Sequence, residues 1–221
     1  GFEMRDGVAH VTSWMEEIIK PSFGYRLIHK MLASILTVAL IVIGLSAYRM
    51  LRDDITPAVQ ASLRLGIIMA AVLAPLQIFT GDLHGLNTLE HQPAKVAAME
   101  ALWETQRGAP LVLFGLPDAE SESNKFAIEL PGMASLILTH DMQGEVKGIN
   151  EFPDAHPPVA PVFWSFRVMV GIGVLMLLIS WAAAWSLKRR NGLSPLLLKS
   201  LVAMTFSGWV AVLAGWYTTE I

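Results

Sequence analysis

Four stretches of this chain are apolar almost without interruption, and a long polar segment separates the second from the third. The first runs from about Tyr25 to Leu51, with an unbroken apolar stretch up to Gly44, and the second from about Val59 to Thr80 with Pro75 inside it as an expected kink. The third runs from about Val159 to Leu187, entered through Pro157, Pro158 and Pro161, and the fourth from about Pro195 to Glu220. Each holds the roughly 20 residues that a helix needs to cross a hydrocarbon core at ~1.5 Å per residue. The pattern therefore predicts an all-α integral membrane bundle of four transmembrane helices with a long extracytoplasmic loop between the second and third.

The segments between the spans divide the chain further. Residues 1–24 mix charges with Phe2, Val8, Val11, Trp14, Met15, Ile18 and Ile19, and read as an amphipathic interfacial segment. Ser13 followed by Glu16 fits a capping box opening a short helix that Pro21 ends. Residues 25–80 hold the first two spans, 81–158 the loop and 159–221 the last two spans. The loop is acidic, carries one predicted helix from Pro93 to Thr105 and has apolar islands at Leu111 to Leu116 and Phe126 to Leu138, so much of it is expected to pack. Arg49, Arg52 and Arg64 cluster at the first short connection and Lys188, Arg189 and Arg190 at the second. By the positive-inside rule the short turns face the cytoplasm and the acidic loop faces outward.

Composition narrows the chemistry. The chain has 221 residues, of which 53% are hydrophobic and 16% charged; its mean hydropathy is +0.49. A net charge of -3 offers no surface for nucleic acid. Cysteine is absent, which removes disulfides, thiolate catalysis and Cys-bound metal centres. Neither a basic n-region nor a cleavage site opens the chain, and both ends read as cut from a longer polypeptide.

Few ionisable or metal-binding groups fall inside the apolar stretches. Arg167 and Met169 sit in the opening turns of the third, and His29 about a turn inside the outer end of the first. An intramembrane charge implies a cavity, an ion or an anionic group nearby, and imidazole and thioether are both axial ligands for haem iron. By helical rise their depths differ by only about 5 Å. Considered singly, His29 is equally an interfacial donor and Met169 a packing side chain. Gly171 and Gly173 would admit a flat macrocycle or another helix. Glu220 follows Gly215-Trp216-Tyr217, an aromatic and apolar setting in which a carboxylate asks for a cation or metal. Lys95 and Glu100, five apart on the predicted loop helix, are either solvated charges or neighbouring sides of one pocket. His84, His91, His140 and His156 lack a recognised zinc spacing.

Several stretches taken together resemble subunit I of the cytochrome bd-type quinol oxidases. They are Gly81-Asp82, Gln92 to Ala101 with Trp103-Glu104-Thr105, Asn124 to Ile128, Phe163 to Gly171, and Gly215-Trp216 through Glu220. The loop is short, as in the cyanide-insensitive branch. The resemblance covers the middle and later part of that subunit, without its first four spans or the motif that follows Glu220.

What the resemblance implies is specific. His29 and Met169 would be the axial ligands of a low-spin haem b, with Arg167 close enough to offset a propionate. Lys95 and Glu100 match loop residues implicated in quinol oxidation. Glu220 matches the carboxylate assigned to a high-spin haem b, and Trp216 the tryptophan beside it. A third cofactor would be haem d or a further haem b. Quinol would be oxidised at the outer face and dioxygen reduced to water, in company with subunit II and a small single-helix subunit in the bilayer. Two other readings stand beside it: a membrane b-type cytochrome relaying electrons to a partner protein, and a haem-free membrane scaffold.

Overall fold

The computed structural model describes residues 2–5, 8–15, 19–153, 156–190 and 192–221. Four candidate membrane spans are long and apolar enough to cross a bilayer: Phe23–Leu51, Pro57–His91, Val159–Arg190 and Pro195–Glu220. The first is one helix, α1, Phe23–Leu51. It ends at a turn held by an Arg49–Asp54 ion pair of 2.7 Å, with Asp53 in the left-handed region at φ 62°. The second is α2, Pro57–His91, opened by Thr56, whose hydroxyl accepts from the Val59 amide, and by Pro57 at the first helical position.

α2 differs from expectation at its far end. The hydropathy pattern stops at Thr80, but the helix passes through Pro75 and continues to His91, because no further proline interrupts Gly81 to Glu90. A short helix α3, Pro93–Glu100, follows directly. It ends earlier than predicted, at Ala101, which takes the left-handed conformation at φ 50°.

The rest of the polar segment is more sheet than helix. Here β1 and β2 denote the N-terminal strands Phe2–Arg5 and Val8–Val11, which pair antiparallel. Within segment 1–24 these residues are therefore extended rather than helical. The helix expected from Ser13 to Pro21 falls largely on residues 16–18, outside the described residues. After α3, the two-residue strand β3, Gln106–Arg107, pairs with β6, Glu145–Val146. The two apolar islands form β4, Leu111–Asp118, paired with β5, Ser123–Leu130, and α4, Met133–Thr139. A single 3-10 turn at Ile149–Glu151 leads toward the third span.

The third span is α5, Val159–Arg190. The fourth, expected as one helix, is broken into α6, Pro195–Ala203, and α7, Ser207–Glu220. At the break the Thr205 and Ser207 hydroxyls turn back to donate to the carbonyls of Val202 and Met204. Such side-chain bonds re-satisfy backbone acceptors where a membrane helix is interrupted. The break is seated on α1: Gly44 faces the Thr205 side chain, and a Cβ on Gly208 would stand 2.5 Å from the Thr37 hydroxyl oxygen. Only glycine permits this approach at either place.

The bundle core is made by Leu36, Leu40 and Ile43 of α1, Leu63 and Ile67 of α2, Met176 of α5 and Leu201 of α6. The extensive packings run round a ring, α1 on α2, α2 on α5, α5 on α7 and α7 on α1, and neither diagonal pair is among them. A second core joins the polar segment to the start of α5: Ala97, Ala98 and Met99 of α3 and Val112 of β4 pack on Val159, Val162 and Phe163. That joint positions the candidate chemistry at one end of the bundle.

Candidate functional site

His29 lies in the second turn of α1 and faces α2. A Cβ on Gly81 would come within 3.1 Å of its Cε1, so the glycine makes room for the ring. The Gln77 amide nitrogen lies 3.0 Å from Nε2 and 3.2 Å from Nδ1 of His29, and can donate to whichever is unprotonated. Gln77 Oε1 is buried and has no partner among the described residues. His84, one turn beyond Gly81, brings its ring centroid to 5.8 Å from that of His29.

Gln77 was not singled out from the sequence, and Gly81 and His84 were not connected with His29, although the signal was present. Gln77, Gly81, His84 and Thr88 recur at steps of four, three and four, a single helical face. It becomes visible only if α2 is carried past Thr80. His84 is therefore a second histidine on a spanning helix, not a loop residue.

Met169 lies in the third turn of α5, half-buried, with its sulfur toward α7. A Cβ on Gly215 would stand 2.7 Å from Sδ, so this glycine, like Gly81, clears space at a candidate ligand. Beside it the Thr218 hydroxyl donates to Ser165 Oγ at 3.0 Å, fastening α7 to α5. Gly171 and Gly173 meet nothing within 4 Å. His29 and Met169 thus belong to α1 and α5, a diagonal pair of the ring.

Arg167 has protein partners that its sequence position does not show. Its Nη2 donates to Glu100 Oε2 at 2.6 Å and its Nε to the Val112 carbonyl at 2.6 Å. The guanidinium also lies 4.8 Å from the Phe163 ring centroid and 5.3 Å from that of Phe166. Both charged side chains are buried, Arg167 10% and Glu100 8% exposed. The pair ties α3 and β4 to α5. Glu100 is accordingly a buried counter-ion, not a solvated charge.

Lys95 reaches elsewhere. Its Nζ donates to the Thr219 carbonyl at the end of α7, 2.8 Å away. Burial depresses its pKa below the ordinary lysine range, the Arg26 charge depresses it further, and Glu220 opposes both. Lys95 and Glu100 therefore do not converge on one partner: one reaches α7 and the other α5. The C-terminal group is also more open than its sequence suggests. Trp216 and Tyr217 are each 53% exposed, with ring centroids 5.9 Å apart, and Glu220 is exposed. The aromatic setting of Glu220 is a matter of chain neighbours, not an enclosure made by this chain.

The residue motif around Asn124 is explained by the fold. Its side-chain oxygen accepts from Trp103 Nε1 at 3.0 Å and its nitrogen donates to the Ala101 carbonyl at 2.9 Å, so it pins the β4–β5 hairpin to the end of α3. The Thr105 amide donates to Asn150 Oδ1 at 3.1 Å and the Gly148 amide to Thr105 Oγ1 at 3.0 Å, holding the segment after α3 against the 3-10 turn.

Comparison with known proteins gives a consistent result. The family model described as cytochrome bd terminal oxidase subunit I matches residues 1–221. The chain is 30% identical over 234 residues to cytochrome bd ubiquinol oxidase subunit 1 of Bacillus subtilis (strain 168), covering 100% of this chain and 50% of the relative. It is 25% identical over 280 residues to cytochrome bd-II ubiquinol oxidase subunit 1 of Escherichia coli (strain K12), covering 95% and 54%. A solved structure of bd oxidase from Geobacillus thermodenitrificans matches with a TM-score of 0.89 at 27% identity, over 100% of this chain and 51% of that one. The chain spans about half the length of the relatives it matches.

Proposed function

Because this chain belongs to the cytochrome bd terminal oxidase subunit I family, we propose that it is the haem-carrying and quinol-oxidising portion of a membrane quinol oxidase. What supports the reading is an imidazole on α1 and a thioether on α5, near the same end of the bundle and each packed against a glycine of a neighbouring helix. The donor set fits a low-spin haem b, which His29 and Met169 would hold. The unpartnered Gln77 oxygen beside His29 would suit the ring N–H left over when the other nitrogen binds iron. When bound, such a haem accepts one electron at a time, at a potential that a methionine ligand raises.

The chain's own residues would then act on the quinol. Glu100 Oε2 is committed to Arg167, while its other oxygen makes no bond among the described residues and is the candidate acceptor for a quinol proton. Lys95, held at the Thr219 carbonyl, would orient the quinol ring and balance negative charge as the hydroxyl deprotonates. Quinol oxidation releases two electrons and two protons, and with the polar segment 81–158 and residues 1–24 facing outward those protons leave on the outer side. The orientation follows from the arginines and lysines of the two short connections.

The exposed Glu220 and Trp216 would complete a high-spin haem b site together with parts of the assembly beyond this chain. Haem d or a further haem b, subunit II, a small single-helix subunit and dioxygen belong to the same proposal. The most apolar window of α5 is only 17% buried, which leaves a broad face for lipid or those subunits. Met169→Leu in the assembled oxidase tests the reading. The chain should still insert, and the low-spin haem band should disappear from the reduced-minus-oxidised spectrum; a band of unchanged position and intensity would reject the assignment.

A further inference from the structure

At the end of the bundle that carries His29, the entry to α1 and the end of α2 border a cavity of about 170 Å³, lined by Lys20, Ser22 and Arg26 from the first and by Asn87, Thr88 and His91 from the second. Its place follows from helical periodicity. Arg26 stands three residues before His29 on α1 and Thr88 four residues after His84 on α2, so the cavity lies one turn, about 5 Å, outward of the layer in which those two imidazoles meet. It also adjoins α3, because Arg26 is near enough to Lys95 to help depress its pKa. Lys20 and Arg26 are the charged residues of its lining, and no carboxylate is among them. Lys30 belongs to a different recess on α1, with Met31, Ser34 and Ile35.

Two of the lining groups are complementary. His91 Nδ1 lies 2.9 Å from the Asn87 carbonyl. A carbonyl only accepts, so that nitrogen carries the hydrogen and Nε2 of the neutral ring keeps a lone pair. Arg26 Nε is a buried donor with no partner among the described residues, a costly state for a charged group. A phosphate or carboxylate would satisfy the arginine alone, whereas a hydroxyl satisfies both, giving its hydrogen to the imidazole and offering its oxygen to the guanidinium. A space of roughly 150 Å³ holds one benzene ring, so a single aromatic ring bearing that hydroxyl fits here.

We infer that this cavity receives the quinol ring and that His91 is a further proton acceptor in its oxidation, with Arg26 donating to the same oxygen. The inference rests on the proposed quinol oxidation and names a second group for it. The O–H bond of one quinol hydroxyl breaks and its proton passes to His91 Nε2, while one electron leaves the ring for the ferric haem that His29 would hold, a helical turn away. Arg26 stabilises the oxygen as negative charge develops there. His91 is exposed, so the proton it takes is released directly to the outer side. Glu100 remains the acceptor for the other hydroxyl, whose proton and electron complete the oxidation.

Rapid mixing of the purified, assembled oxidase with tetramethylbenzoquinol, followed at the low-spin haem band and by steady-state turnover, tests this with His91→Gln and His91→Gly. Glutamine accepts a hydrogen bond but not a proton, so His91→Gln should slow haem reduction and kcat by about 100-fold, at the lower end for general-base catalysis, with KM within about threefold of wild type. Reduction by dithionite should be unchanged in both variants, which separates lost proton transfer from a damaged haem site. Added imidazole should restore the rate in His91→Gly, an effect that a merely structural histidine does not give, and this reads the same role if His91→Gln does not assemble. A wild-type kcat in His91→Gln, or no rescue by imidazole in His91→Gly, overturns the inference. A wild-type complex that has no low-spin haem band, or that does not oxidise the quinol, would instead remove the reading beneath it.

Discussion

Removing one member of the Glu100–Arg167 pair should release the polar segment from α5. The pair is 2.6 Å long with both side chains at or below 10% exposure. At an effective dielectric near 20, two charges 4 Å apart attract by roughly 4 kcal/mol, and truncating one partner of a buried pair costs about 3–5 kcal/mol because the other charge is stranded. Glu100→Ala leaves Arg167 with the Val112 carbonyl and the faces of Phe163 and Phe166, so its charge is only partly stranded and the lower end of that range applies. The expected cost is therefore about 3 kcal/mol, or roughly 100-fold in the opening equilibrium. Native-state proteolysis of the detergent-solubilised oxidase reads it, because cleavage tracks the open population when reclosing is fast. Glu100→Ala and Arg167→Met should each accelerate cleavage within 101–153 by ~100-fold, and the double variant by less than either, since neither charge is then left stranded. An effect under about threefold for Glu100→Ala, or a double variant equal to the product of the singles, would refute the reasoning.

Gly215→Ala places a methyl 2.7 Å from Met169 Sδ; the sulfur must move, and the low-spin haem band should shift or weaken, as absorbance of the purified complex will show. Asn124→Ala deletes the bonds to Trp103 and the Ala101 carbonyl; about 1–3 kcal/mol of hairpin protection should be lost, measured by hydrogen exchange of β4 and β5. Asp118 is held at a pKa of about 2 by hydrogen bonds from Lys125, Ser121 and the Glu120 amide. Its depressed pKa contributes stability present above pH 3.8 and lost as pH falls through about 2, so the difference in hairpin protection between wild type and Asp118→Asn should vanish over that interval. Lys95, with a pKa below 10.5, should react with amine-selective reagents with a pH midpoint below that value. Between its folded and unfolded pKa values the unfolded chain binds more protons, so stability should rise with pH there.

The four spans, the acidic segment between them and the candidate ligands His29 and Met169 are legible in the sequence, since each follows from a local property. Twenty apolar residues report a helix that can cross a bilayer wherever the neighbours lie, and an arginine inside one is conspicuous by its cost. The Asn124 and Trp103 motifs were visible as a resemblance, but their physical basis, a hairpin pinned to a helix end, required the pairing of segments more than twenty residues apart. The continuation of α2 to His91 was hidden because hydropathy marks where a helix stops being apolar, not where it stops being a helix. With it were hidden Gln77, Gly81 and His84 as one face toward His29.

Charge partners were decided only by tertiary structure. The sequence placed Arg167 beside Met169 and suggested an anion for it; folding supplied Glu100, sixty-seven positions away in the chain, and left Arg26 as the arginine with a buried, unpartnered donor. Likewise Glu220 sits among aromatic chain neighbours, yet α7 turns it outward. Hydrophobic length is a property of each segment and survives any arrangement of the bundle, whereas an ion pair exists only where two segments meet, and that meeting is set by the packing of α3 on α5.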